Sequence, residues 1–316
     1  RGQVKELIEH TLSDTGKVAD ALKRIATTYD LTDLVQRPLL LAMVLKSLDH
    51  IEPGARVAPA DVYEAYLQKW LEHTREDDAS LSHKQKVRFA EALAEQLWRS
   101  GNVSCSWNEL RDSVRDRIGK LRLPEHVPDA EAFLDVQGGA FFVREGEDRY
   151  RFAHKSFLEY FLARSLVQIL PFRPLDGLAT RPLTLEVASF VGEILRRQGD
   201  DPRQSSELRT LKSWLTADHT LRGDTQTARS QVAVNALRLL HGLGRWSGDA
   251  AGWIPSGADL RGLSLIGEDL RGASLCGVRL SSSDLSGADL RETDLSGAEL
   301  RAARLVGVRL DRAKLA

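Results

Sequence analysis

Leucine stands at position 260 and at every fifth position after it to 315, twelve times without a miss. No other feature restricts the fold of this chain so tightly. On an α-helix each step of five residues carries the side chain about 140° around the axis, so these leucines never form a stripe. A flat strand has period two and would send them to alternate faces. Glycines at 262, 267, 272, 287, 297 and 307 oppose a helix further. The residue two before each leucine is mostly small, as at Ala258, Ala273, Ala288, Ala298, Ala303 and Ala313. A repeat architecture is required, and the leucines share one interior only if the chain turns a corner every pentapeptide.

The segment 256–316 closely resembles the pentapeptide-repeat family, with its A-[DN]-L-x-x pattern. The resemblance implies a right-handed quadrilateral β-helix with one side per pentapeptide and four sides per coil, hence about three coils here. Residues twenty apart then become neighbours at roughly the 4.8 Å strand spacing. One inward column reads Leu260, Leu280, Leu300, and one outward column reads Asp259, Arg279, Glu299, alternating in sign. Glu268 breaks the pattern at an inward position that favours a small residue. The expectation is that it splays outward near the end of the solenoid.

The rest of the chain reads as mainly helical. Three helices are expected over residues 3–50, then one at "ADVYEAYLQKWLEHTRED", one at "HKQKVRFAEALAEQLWR", and one from Trp107 behind the capping box Ser106/Glu109. Further helices are expected at about 183–198, 206–217 and 226–243. "AFFVREGEDRYRF" places Gly146 between two aromatic-rich runs and reads as a β-hairpin. Ser156 and Glu159 form a second capping box, so a helix is expected from Phe157, with Phe157, Phe161 and Leu162 on its buried face. His154 thus falls in the joint between hairpin and helix, as a capping or packing residue or as a reader of a ligand.

Composition sets the class. With 42% apolar residues and a formal net charge of −1, no overall field draws the chain to nucleic acid or membrane. The longest apolar run, Pro38 to Leu45, is too short to span a bilayer. Cys105 and Cys276 have no C-x-x-C context, which fits a reduced, cytoplasmic protein. The histidines and cysteines show no metal-ligand spacing, and no metal site is expected. The chain opens at Arg1 without an initiator Met, so it is expected to be part of a longer protein.

Three segments together resemble the NACHT branch of signal-transducing P-loop ATPases (STAND ATPases): "LVQRPLLLAMVLKSL", "PADVYEAYLQKWLEH" and "YRFAHKSFLEYFLARSL". The last is similar to that family's F-x-H-x-S-F-x-E-Y-F motif. The resemblance implies a small helical domain at 1–55 that follows an absent NTPase core, a winged-helix domain at 56–164 and a helical extension at 165–250. The pentapeptide β-helix at 256–316 completes the multidomain chain. It also implies ATP/ADP with Mg in the full-length protein, Pro38 packing near the adenine, and His154 contacting the ADP β-phosphate in a closed state. No G-x-x-x-x-G-K-[ST] loop occurs in the 316 residues, so this chain alone is not expected to hydrolyse ATP, and no catalytic residues are assigned. By analogy the expected role is the regulatory and sensor half of a bacterial-type NACHT ATPase in anti-phage immunity. Its expected partners are the NTPase core, a protein or other trigger at the repeat surface, and further copies in a ligand-induced homo-oligomer.

Two other classes compete. A pentapeptide solenoid can mimic DNA and occupy a topoisomerase, but mimicry needs an acidic surface, and residues 256–316 balance nine acids with nine bases. A winged-helix DNA-binding regulator would use the helix from Trp107, which carries Arg111, Arg115, Arg117 and Lys120. That helix also carries Glu109, Asp112 and Asp116, the mixed charge of a solvated face.

Overall fold

The computed structural model describes Met43 and residues 58–72, 82–106, 109, 141–145, 149–170, 180–197, 206–216, 225–247 and 254–315. Apart from Met43, which is helical and buried, the helices expected over 3–50, Pro38 among them, and most of the helix from Trp107 lie outside the described residues. The described residues fall into two compact units. The first lies within Arg1–Leu93 and Val103–Tyr160, the second within Ala94–Asn102 and Phe161–Ala316.

Within the first unit, α1 spans Pro59–Glu72. Pro59 takes the first helical position, where a missing N–H costs nothing, and the Asp61 carboxylate accepts the Ala58 N–H at 2.7 Å. Helix α2, His83–Ser100, opens with a full capping box. The Ser82 N–H donates to Gln85 Oε1 at 2.8 Å, and the Gln85 N–H donates to Ser82 Oγ at 3.4 Å. Strands β1 (Cys105–Ser106), β2 (Phe142–Glu145) and β3 (Arg149–Phe152) form an antiparallel sheet in the order β1-β3-β2. The hairpin β2–β3 is the expected one, with Phe142 opposite Phe152 and Glu145 opposite Arg149. The pairing of Cys105 with Tyr150 adds a third strand that two residues of sequence do not signal. The reciprocal Ser106/Glu109 box is formed, with the Ser106 N–H donating to Glu109 Oε2 at 2.7 Å. That bond chiefly holds the Glu109 carboxyl below the usual carboxylate range.

Helix α3, Lys155–Ile169, starts two residues earlier than the Ser156/Glu159 box implies. Its start is fastened by an aromatic cluster in the first unit. Phe157 and Phe141 meet edge to face at 4.8 Å, Tyr63 stacks on Tyr160 at 5.1 Å, and Tyr160 Oη donates to Glu64 at 2.6 Å.

The second unit contains α4 (Leu185–Arg197), α5 (Ser206–Thr216) and α6 (Thr225–Ser247), close to the three spans expected from periodicity. Helices α4 and α6 approach closely. A Cβ added to Gly242 would stand 2.6 Å from the Ala188 Cβ, and one on Gly192 would stand 2.8 Å from Leu243 Cδ2. The crossing at Gly242 therefore needs glycine, because the backbone of Ala188 also stands within 3.3 Å, whereas the Leu243 side-chain end facing Gly192 can turn aside.

Residues 254–315 wind into coils of twenty. Parallel bridges join Asp259 to Arg279, Ser264 to Asp284, Asp269 to Asp289 and Ser274 to Asp294, and the same four columns continue into the third coil. Each side carries a two-way ladder, as where the Leu260 N–H donates to the Arg279 carbonyl and the Arg279 N–H to that of Ala258, both at 2.9 Å. Every corner has a residue of positive φ three positions before a leucine. Glycine fills most of them, but Ser282, Glu292, Ala302 and Arg312 adopt φ of 62°, 61°, 56° and 61°. The inward hydroxyls of Ser283 and Thr293 are satisfied by backbone: Ser283 Oγ donates to the Leu280 carbonyl at 2.7 Å, and Thr293 Oγ1 to that of Leu270 at 2.8 Å.

Two sequence expectations need correction here. The leucines are buried through the first two coils, from Leu260 to Leu295, but Leu305 is 40% and Leu315 60% exposed. An inward side chain is covered by the coils above and below it, and among the described residues no coil lies beyond the third. Glu268 does not splay into solvent. It is 8% exposed and its carboxylate is held by Arg238 of α6.

Leu285→Arg, at a fully buried site, is expected to abolish the cooperative melt of the solenoid, a loss of several kcal/mol. Leu315→Arg, at the same repeat position but exposed, should change stability by no more than about 0.5 kcal/mol. Thermal melts followed by circular dichroism compare the two. The corners offer a second test. Gly272, at φ +67°, has open space where a Cβ would stand, so Gly272→Ala adds only backbone strain and should cost about 1 kcal/mol. Ala302→Gly removes the same strain and should raise the melting temperature.

Candidate functional site

His154 is the first candidate. It sits between the last residue of β3 and the first of α3, and it is exposed. Its Nδ1 accepts the Ser156 N–H at 3.1 Å and lies 2.7 Å from Ser156 Oγ. A ring nitrogen that accepts a backbone N–H carries no proton, so the Ser156 hydroxyl is the donor in the second contact. The proton of the neutral ring is then on Nε2. His154 is thus the N-cap of α3, a task usually given to a side-chain oxygen. The capping fixes the ring at a helix N-terminus and leaves Nε2–H as a donor. Lys155 beside it pairs with Glu159 at 3.1 Å. Pro38, the other residue expected near a nucleotide, lies outside the described residues.

The second candidate is the outer surface of the solenoid. Asp259, Asp269 and Asp289 are each clasped by the arginine two residues on. Arg261 reaches Asp259 through Nε at 2.8 Å and Nη2 at 2.6 Å, and Arg271 and Arg291 repeat the fork on Asp269 and Asp289. At Asp284 and Asp294 a serine takes the arginine's place, with the Ser286 and Ser296 N–H groups each donating at 3.0 Å. The forks resolve a conflict in one column, where Asp269 stands opposite Asp289, because Arg271 Nε also lies 3.7 Å from the Asp289 carboxylate. Between the second and third coils Asp284, Asp289, Glu292 and Asp294 each face a cation twenty residues on. The partners are Arg304, Arg309, Arg312 and Lys314, at 3.5 to 3.9 Å.

These contacts lower the carboxyl pKa values. The Arg261 side chain holds Asp259 below the usual range, Arg291 does so for Asp289, and Ser286 and Ser296 do so for Asp284 and Asp294. Carboxylates with depressed folded-state pKa values add stability above their unfolded values, near 4, and lose it as pH falls through the folded values. The melting temperature of the solenoid should therefore be level from neutral pH to about pH 5 and fall below about pH 4. Asp289→Asn keeps the turn acceptor without the titration and should blunt that fall. A melt series from pH 7 to pH 2.5 checks both.

Among the described residues no group of three or more histidine, cysteine or carboxylate side chains could hold a metal ion. Among the same residues no helix is long and apolar enough to cross a membrane. Sequence reasoning also missed Arg238, which holds the buried Glu268 carboxylate. Nothing in the periodicity of α6 distinguishes it from an ordinary helix-face arginine.

Comparison with known proteins agrees with the coil geometry. The C-terminal segment matches the family described as Pentapeptide repeats, in eight copies over residues 256–292 and 279–315. The chain is also similar to an uncharacterized WD repeat-containing protein of Nostoc sp. (strain PCC 7120), 26% identical over 147 residues. That match covers 45% of this chain and 9% of the Nostoc protein, so the chain spans a small part of that relative's length. It is longer than the whole repeat segment, so it includes residues outside the solenoid.

Proposed function

We propose that the chain is the regulatory and sensor half of a bacterial-type NACHT signalling ATPase acting in anti-phage immunity. The pentapeptide solenoid presents the surface that meets a trigger. The observation that carries this reading is the placement of His154 within Phe152–Phe161, a segment that resembles the family motif. The ring is held at the N-cap of α3 through Nδ1, and Nε2–H is left to donate outward. That arrangement fits one contact to a phosphate oxygen. The ATPase core would supply the phosphate cradle, Mg and the hydrolytic chemistry. The three-stranded sheet between α2 and α3 supports a winged-helix domain at 56–164. Helices α4 to α6 support a helical extension at 165–250, and the small helical domain is assigned to 1–55 with Pro38 beside the adenine. The similarity to a WD repeat-containing protein, which extends beyond the pentapeptides, is compatible with a region that is joined to different repeat arrays.

In this reading the histidine ties its domain to bound ADP, and loss of the contact frees the domain to move, a two-state switch biased by ligand. The DNA-mimic alternative is weakened by the arginine forks on Asp259, Asp269 and Asp289, which neutralise the carboxylates that mimicry would need. With the chain joined to its ATPase core, His154→Ala should lower ADP retention about tenfold, the loss of one charge-assisted hydrogen bond. Basal signalling should rise with it. Unchanged bound-ADP content together with unchanged basal signalling would return His154 to a purely capping role.

A further inference from the structure

Eleven of the twelve inward positions before the leucines hold Ala, Val, Leu, Ser or Thr, and the twelfth holds Glu268. The solenoid itself has no use for a carboxylate there, since Leu263, five residues earlier, fills the equivalent position in the preceding side. Burying a carboxylate is tolerable only with a partner, and the partner comes from outside the repeat. Arg238 of α6 donates from Nε to Glu268 Oε2 at 2.8 Å and from Nη2 to Oε1, a planar two-point fork.

The third nitrogen of the same guanidinium faces a different element. Arg238 Nη1 donates to the Leu183 carbonyl at 2.8 Å, two residues before α4. One turn earlier on α6, Asn235 accepts the Leu183 N–H at 2.8 Å through Oδ1 and donates through Nδ2 to the Arg181 carbonyl at 2.6 Å. Both backbone groups of Leu183 are therefore held by side chains of α6. The solenoid also bonds to the helices through its backbone, where the Asp259 N–H donates to the Leu215 carbonyl in the last turn of α5 at 2.7 Å.

We propose that Arg238 is a relay, a positioning residue through which the first coil of the solenoid sets the position of the segment entering α4. A rigid planar fork transmits displacement where a single flexible contact would absorb it. Moving the Glu268 carboxylate turns the guanidinium and with it the donor on Leu183. The role assigned to this relay, carrying a signal from repeat surface to helices, rests on the proposed function. The coupling itself requires neither nucleotide nor trigger.

Hydrogen–deuterium exchange on the full chain tests it with two variants chosen to preserve folding. Glu268→Leu supplies the apolar side chain that the inward position favours, and Arg238→Lys keeps a cation beside Glu268 without the fork. Both should leave the amides of 275–295 as protected as in the wild type. Both should speed exchange at residues 183–187 about tenfold, the effect of one charge-assisted hydrogen bond. Wild-type exchange at 183–187 in both variants would overturn the relay. So would acceleration at 275–295 equal to that at 183–187, because it would report lost stability and not lost linkage. Failure of either variant to fold would show that the pair is a general stability element and overturn it as well. None of these outcomes bears on whether His154 reads nucleotide.

Discussion

The left-handed corner is the constraint on which the solenoid depends. A chain that turns at every fifth residue needs positive φ at each turn, and L-residues with a Cβ resist it. Glycine at most corners makes the turn inexpensive. Once it is made, the leucine that follows is aimed inward and the residue before that leucine outward. The backbone then meets the coil twenty residues on, N–H to carbonyl, from Leu260 through Leu295. Four corners carry side chains instead, and the ladder around them is strong enough to hold the strain.

The ends of such a stack are its weak points, because each coil is stabilised only by its neighbours. The first coil is tied to helices by a backbone bond to the end of α5 and by the buried Arg238–Glu268 fork. The third coil retains ion pairs to the second but has no covering layer among the described residues, and its leucines are correspondingly more exposed. Charge follows the same logic. Carboxylates of the second coil face cations of the third, so the columns favour the register that the leucines require.

In the first unit the position of His154 is a consequence of aromatic packing. Phe157 is locked against Phe141, and Tyr160 against Tyr63, which sets both the start and the roll of α3. The antiparallel β2–β3 pair delivers the chain to that start. The imidazole is then close enough to take the Ser156 N–H, and the helix gains a cap while the ring loses its freedom to rotate.

Much was readable in the sequence because it depends on local repetition. The period-five leucines define the coil and its twenty-residue register. The 3.6-residue periodicity located α4, α5 and α6, and the aromatic runs around Gly146 located β2 and β3. The candidate His154 was also visible, as a residue at a joint. A capping task was among its readings, but Ser156 and Glu159 offered an equally good local signal, and only the packing of Phe157 decided where α3 begins and hence which residue caps it. The two-residue strand β1 has no period to detect. The burial of Glu268 and the role of Arg238 belonged wholly to tertiary structure. A carboxylate at an inward position is unfavourable on any local reading, and it becomes stable only when a helix thirty residues earlier in the chain brings a guanidinium to it.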